Sequence, residues 1–276
     1  MNPQTKPAQP EEFPELRCDL HDVDLLEGEN GMYCHFCRMA AQRRRDEEAQ
    51  ETVRAQELVQ ERMADIERRL GTACIPARYR ELSFDTYPGV TAEAKLAANT
   101  LRRYANTFRE SRKQGISALL LGGAGTGKTG LALCVANAIV RDHNMTAVYM
   151  KAYGAVRHQR DTWGRKGRTE REALDDLVLP DLLILDEVGT NIGTPAEMQM
   201  LFEVLDERYG EKRPTILISN LPMKNYGPAG EHQGLRAFLG PRLIDRFNDD
   251  GSFNLLFDWP SLRGSTANAE SQAVRR

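Results

Sequence analysis

The sequence predicts an α/β protein: a three-layer sandwich around a parallel sheet, preceded by a small zinc-binding module and a linker helix. Three observations carry that expectation. An apolar run, Ile116 to Leu121, leads directly into Gly122-Gly123-Ala124-Gly125-Thr126-Gly127-Lys128-Thr129, and then into Leu131 to Val140, which holds neither Gly nor Pro. A second apolar run, Leu182 to Leu185, ends in Asp186-Glu187. Nearer the start, Cys18-x-x-His21 and Cys34-x-x-Cys37 set four metal-type ligands in two pairs.

Length and charge bound what the chain can be. Its 276 residues suit one ordinary domain plus something smaller. A net charge of −3 favours no polyanionic partner, so any nucleic-acid binding must come from local patches. No apolar run reaches membrane-spanning length, and the first residues lack the basic-then-apolar order of a signal peptide. A soluble, cytoplasmic protein without a membrane partner is expected.

Residues 1–16 are rich in Pro, Gln and Glu with little to bury, which reads as a disordered lead-in. A zinc module at 17–40 follows. Two residues separate the partners in each pair, the spacing that lets a knuckle present both donors to one tetrahedral Zn²⁺. Gly28, Asn30 and Gly31 supply turn chemistry between the pairs. His35 beside Cys34 is a competing ligand, but the paired spacing favours His21. Four protein ligands close a site, so this zinc is structural. In a module with almost no core it supplies most of the folding free energy, on the order of 10–16 kcal/mol.

From Arg38 to Leu70 there is neither Gly nor Pro, and strong helix formers dominate. Val59, Met63, Ile66 and Leu70 make a narrow apolar stripe on a polar rod, and 41–70 reads as a linker helix. Arg43-Arg44-Arg45 reads as a solvated face rather than a nucleic-acid contact. Gly71 ends the helix and opens the main domain, 71–263, with 264–276 as a flexible tail. Cys74 and Cys134 have no partners at ligand spacing and read as small buried hydrophobes. Thr91 caps a helix whose Ala97, Leu101, Tyr104 and Phe108 face the core, and Gly115 stops it.

The glycine loop has a chemical reason for each residue type. Gly122, Gly123, Gly125 and Gly127, with Ala124 and Thr126, let the backbone curl so that successive N–H groups point at phosphate oxygens. The following helix adds partial positive charge at its N-terminus. Lys128 is placed to reach the β- and γ-phosphates of ATP, and the Thr129 hydroxyl to ligate Mg²⁺. Strand, loop and helix in that order distinguish a working phosphate loop from a chance match.

Thr146 to Lys151 reads as the next strand. A segment with Arg157, Arg160, Arg165, Lys166, Arg168 and Arg171, interleaved with Tyr153 and Trp163, comes after it. It is either a single-strand DNA contact built on phosphates and stacking, or a solvated surface excursion. Both stay open. The run ending in Asp186-Glu187 delivers two carboxylates to the carboxyl edge of the sheet. Asp186 would hold the Mg²⁺ shell and Glu187 would orient and deprotonate the attacking water. Pro195 to Tyr209 is a helix, and Thr215 to Ser219 a strand delivering Asn220 to the γ-phosphate or the attacking water. Pro222 to Gln233, with its Gly and Pro, has no assignment. Phe253 to Phe257 is a final strand. No strand-to-strand connection here lacks a helix, so the sheet should be parallel.

Together these residues resemble the DnaC-like helicase-loader ATPases of the AAA+ class, kin of the IstB transposition ATPases. The resemblance rests on Ile75-Pro76-x-Arg78-Tyr79, the phosphate loop, Leu185-Asp186-Glu187-Val188-Gly189, Ser219-Asn220, Arg242-x-x-Asp245-Arg246 and Trp259-x-Ser261-x-Arg263. It covers about residues 74–263, and the zinc-like module is similar to the helicase-binding domain of such loaders. The resemblance implies an AAA+ P-loop sandwich with Asn220 as the first sensor. It further implies Arg246 as an arginine finger serving a neighbouring subunit, with Arg242 close by, and Arg263 as the second sensor on the nucleotide. The tail after Arg263 is too short for the helical lid of larger AAA+ proteins. The implied activity is ATP hydrolysis, weak in a monomer. The implied task is delivery of a ring-shaped, DnaB-type replicative helicase onto single-stranded DNA by a head-to-tail, ATP-held assembly. A transposition helper ATPase and a nucleotide-gated adaptor with little hydrolysis are the alternatives.

Overall fold

The computed structural model describes residues 17–28, 31–162, 169–190, 194–249 and 251–262, the Val59 side chain excepted. The expected lead-in 1–16, the tail 264–276, Asn30, Arg263, and Trp163, Arg165, Lys166 and Arg168 of the basic segment lie outside the described residues. The chain divides into two compact units, 1–63 and 64–276.

In the smaller unit, β1 (Leu26–Gly28) and β2 (Gly31–Tyr33) pair antiparallel, Leu26 opposite Tyr33 and Gly28 opposite Gly31. Helix α1 runs from His35 to Thr72. It starts ahead of the expected residue 41, so Cys37 lies in its first turn. The two units divide between Met63 and Ala64, within this helix. The reason is burial. Leu70 is 4% exposed and Ile66 packs beside it in the larger unit's core, whereas Met63, expected on the same stripe, is 64% exposed.

The larger unit continues with α2 (Ala92–Asn106), α3 (Phe108–Gln114), β3 (Ala118–Gly122), α4 (Lys128–Asp142), β4 (Ala147–Lys151) and α5 (Ala152–Arg160). Then come α6 (Glu170–Val178), β5 (Leu182–Asp186), α7 (Pro195–Gly210), β6 (Thr215–Ser219), α8 (Leu235–Leu239), α9 (Pro241–Arg246) and β7 (Phe253–Phe257). The strand order is β4-β5-β6-β3-β7, and every pair is parallel. Side chains alternate across the sheet as the pleat requires. Leu120, Ile184 and Ile218 join α2 and α4 in one core, while Leu119, Leu121, Leu185 and Leu217 join α5 to α9 in the other. These strands are apolar on both faces because helices cover both. Each fully buried Leu or Ile contributes about 1.5–3 kcal/mol.

Local signals set the helix starts. Thr194 Oγ1 accepts the Glu197 N–H, Glu197 Oε2 accepts the Thr194 N–H, and Pro195 begins α7. Fully buried Arg208 of the same helix donates to the carbonyls of Leu177, Val178, Pro180 and Pro214 and to Thr215 Oγ1. Burial, with Arg213 and Arg112 nearby, pushes its pKa down, and five acceptors hold the charge in place. One side chain thereby ties α7 to the end of α6 and to the start of β6.

Three expectations change in detail, and one open stretch gains a structure. The helix expected through Phe108 breaks at Thr107 into α2 and α3, and the Tyr104 ring meets Phe108 edge-on at 5.6 Å. Cys74 is exposed, on a turn with φ 55°, while Cys134 is buried as expected. The basic segment is not one loop. Arg157 and Arg160 belong to α5 and Arg171 to α6, where Arg160 pairs with Glu197 and Arg171 with Asp175 and Glu207. The unassigned stretch from Pro222 forms a hairpin, with Tyr226 and His232 exchanging both backbone hydrogen bonds at 3.0 Å.

Candidate functional site

The loop between β3 and α4 forms a tight backbone cradle. Gly122 has φ 138°, and a Cβ there would stand 2.1 Å from the Phe257 carbonyl oxygen. Gly127 has φ 95°, and its Cβ would meet the Tyr87 hydroxyl at 2.2 Å. Only glycine fits either place. The loop is braced from behind: Trp259 Nε1 donates to Thr126 O at 2.9 Å and the Leu262 N–H to Gly125 O at 2.8 Å. Lys128 is 5% exposed, its Nζ donating to the carbonyls of Gly122 at 2.8 Å and Gly123 at 2.6 Å. The amine thus lies over the start of the loop.

Both acids arrive at the end of β5. Asp186 is 5% exposed and accepts three hydrogen bonds. Oδ2 takes the hydroxyls of Thr129 at 2.8 Å and Tyr149 at 3.0 Å, and Oδ1 takes the Glu187 N–H at 2.8 Å. Burial, with the Asp186 charge beside it, holds the Tyr149 phenol well above its usual range. Glu187 has φ 56°, a left-handed conformation that costs about 1–3 kcal/mol outside glycine. The Val188 N–H to Ile218 O at 2.9 Å and Ser219 Oγ to Val188 O at 2.6 Å fasten the backbone just beyond it. Its Oε1 lies 2.8 Å from Lys151 Nζ at the end of β4, an exposed pair that raises the Lys151 pKa. A loop that excludes a Cβ at Gly122 and Gly127 suits a phosphate chain, and a hydroxyl plus a carboxylate, both hard oxygen donors, suit Mg²⁺.

Asn220 is exposed at the carboxyl end of β6. Leu121 pairs with Ser219, so the register puts Asn220 alongside Gly122, where the loop begins. Among the described residues, then, Lys128, Thr129, Asp186, Glu187 and Asn220 gather at one sheet edge. Arg246 does not join them. It ends α9, ion-paired with Asp206 and stacked 4.7 Å over the Tyr209 ring, its side chain 17% exposed. Arg242, one turn earlier, is exposed.

The smaller unit brings Cys18, His21, Cys34 and Cys37 together, all four ligand atoms within 4.8 Å of one another. The His21 Nδ1 distances are 3.6 Å to Cys18 Sγ, 3.6 Å to Cys34 Sγ and 3.4 Å to Cys37 Sγ, and Cys18 Sγ is 3.7 Å from Cys37 Sγ. A tetrahedron with Zn–S near 2.3 Å and Zn–N near 2.0 Å has edges of roughly 3.5–3.8 Å. Those four edges therefore match a zinc shell. His35, the competing ligand, stands outside it. The His21 hydrogen bond draws the Cys18 thiol down to about 6, while the Cys18 contact pushes Cys37 up to about 11. A divalent cation would remove that mutual opposition.

Sequence reasoning missed Tyr149 and Lys151. Their one visible signal is a polar group at alternate positions of β4, ending at the same sheet edge as Asp186.

The family model for IstB-like ATP binding proteins matches residues 37–247. A protein named replicative helicase loader DnaC from Buchnera aphidicola subsp. Acyrthosiphon pisum is 30% identical over 199 residues, 72% of this chain and 76% of that protein. Its namesake from Escherichia coli K12 is 26% identical over 210 residues, 76% of this chain and 80% of that one. Among solved structures, the DnaC helicase loader superposes with TM-score 0.54 at 19% identity, covering 66% of this chain and 99% of that one. DnaI superposes at 0.51 with 20% identity, covering 69% and 95%. At those identities the superpositions speak for the AAA+ fold alone.

Proposed function

The chain belongs to the family of IstB-like ATP binding proteins, and from that membership we propose that it is an ATP-controlled loader of a ring-shaped, DnaB-type replicative helicase. The observation that carries the proposal is the match, across about three quarters of each chain, to proteins named replicative helicase loader DnaC. Those names favour loading over help to a transposase.

The reaction is ATP plus water to ADP plus phosphate. Backbone N–H groups of Gly122 to Thr129 bind the phosphates, and Lys128 turns from its loop carbonyls toward the β- and γ-oxygens. Thr129 and Asp186 would hold Mg²⁺, which would supply positive charge against the phosphates. Glu187 orients the attacking water and takes its proton, and Asn220 steadies the water or the γ-phosphate. Arg246, and Arg263 on the nucleotide, complete the set, Arg246 from a neighbouring subunit in a head-to-tail assembly. A lone protomer is therefore a weak ATPase. The Cys18-His21-Cys34-Cys37 module, closed by structural Zn²⁺, grips the helicase, while the ATPase domain holds single-stranded DNA until hydrolysis releases the assembly.

No helix among the described residues is long and apolar enough to cross a membrane. The test is reconstitution. Purified protein, replicative helicase and circular single-stranded DNA should yield ring-loaded helicase only with ATP present. Loading that ignores ATP, or no helicase association in any nucleotide state, would overturn the reading.

A further inference from the structure

We propose that Tyr149 is a positioning residue for the Mg²⁺-binding carboxylate, its hydroxyl fixing the rotamer in which Asp186 meets the metal. The inference rests on the reading of the site given above and adds a residue from the edge strand to it.

Tyr149 stands in β4 on the sheet face that packs against α2 and α4. Its hydroxyl is 3.0 Å from Asp186 Oδ2, the same oxygen that Thr129 Oγ1 reaches at 2.8 Å. A carboxylate offers about four acceptor positions. Two hydroxyls on Oδ2 and the Glu187 N–H on Oδ1 occupy three, so the carboxylate plane cannot turn without breaking a bond. Thr129 alone could not hold that plane, because its oxygen is also the expected metal ligand.

The donor itself is rigid. Tyr149 pairs with Ile184 on the inner side of β4, and on the outer side its N–H donates to Ala73 O at 2.9 Å. Main chain held from both sides and a half-buried ring packed against the core leave the hydroxyl little freedom. Such a partner, which touches a ligand but not the metal, typically accounts for 10–100-fold in metal affinity or activity.

The experiment is a Mg²⁺ titration of fluorescent ATP-analogue binding, started from EDTA, on full-length wild type and Tyr149→Phe. The substitution deletes one oxygen and keeps the ring. The half-saturating Mg²⁺ concentration should rise about tenfold, with affinity in EDTA and Tm unchanged. Superimposable Mg²⁺ curves would overturn the proposal. So would an equal loss of affinity with and without Mg²⁺, or a collapse of Tm, since the hydroxyl would then serve the fold. Wild-type binding indifferent to Mg²⁺ would overturn the reading of the site, and this proposal with it.

Discussion

Lys151 Nζ and Glu187 Oε1 stand 2.8 Å apart at the carboxyl ends of two neighbouring strands, so the expected base of the reaction is ion-paired within its own subunit. The pair is exposed on both sides and contributes at most about 1 kcal/mol. Glu187 must give up that contact before Oε1 can accept a hydrogen bond from the attacking water. Lys151→Met should therefore raise basal ATP turnover by up to about fivefold, the rate equivalent of that energy, with Tm nearly unchanged. Steady-state phosphate release checks it.

Lys128→Ala and Glu187→Gln should separate binding from chemistry. The first removes the cation over the cradle and should abolish nucleotide binding. The second keeps the side chain's shape and should bind ATP while losing about 10²–10⁴ in turnover, trapping the ATP-bound assembly. Equilibrium binding beside single-turnover hydrolysis distinguishes the two.

Arg246 is held by Asp206 and Tyr209 within its own subunit, so serving a neighbour requires it to leave that pair. Arg246→Ala should spare ATP binding and reduce turnover of the assembled protein by about 10³–10⁵. Turnover per protomer should rise with concentration in the wild type and stay flat in the variant. Full DNA-stimulated turnover in Arg246→Ala would sink the shared site.

Metal analysis should find one zinc per chain, lost in Cys34→Ser. Chelation should unfold residues 17–40, as read by limited proteolysis, while ATP-analogue binding to the larger unit persists. An effect on binding in the larger unit alone would contradict the division of labour.

Arg208→Met should cost about 3 kcal/mol or more, because it strands buried carbonyl acceptors that no water can reach. The urea midpoint should fall in the variant with no change in m-value. It touches none of the ATP-site residues, so any folded fraction should still bind nucleotide.

Much of the site was legible in the chain because its chemistry is local. The phosphate loop occupies consecutive residues, Asp186 and Glu187 adjoin at a strand end, and each zinc ligand pair spans one turn. A single strand-loop-helix or a knuckle is enough to orient such groups, and the spacing of residue types reports it. The parallel sheet followed from helices separating the strands. Boundaries were less legible. The helix from His35 outruns its estimate, and Thr107 splits a stripe that periodicity reads as continuous, because burial against the core rather than propensity decides where a helix ends.

What tertiary structure alone decided is which distant side chains meet. Tyr149 reaches Asp186 across 37 residues, Lys151 reaches Glu187 across 36, and Asp206 holds Arg246 across 40. Strand order β4-β5 creates the first two contacts and the packing of α7 on α9 the third. No residue pattern along the chain encodes such a meeting. It exists only once burial of two apolar sheet faces has chosen the neighbours. The order of residues was enough to read a phosphate loop and to place Asp186 and Glu187 at a strand end; the fold decided how those carboxylates are held.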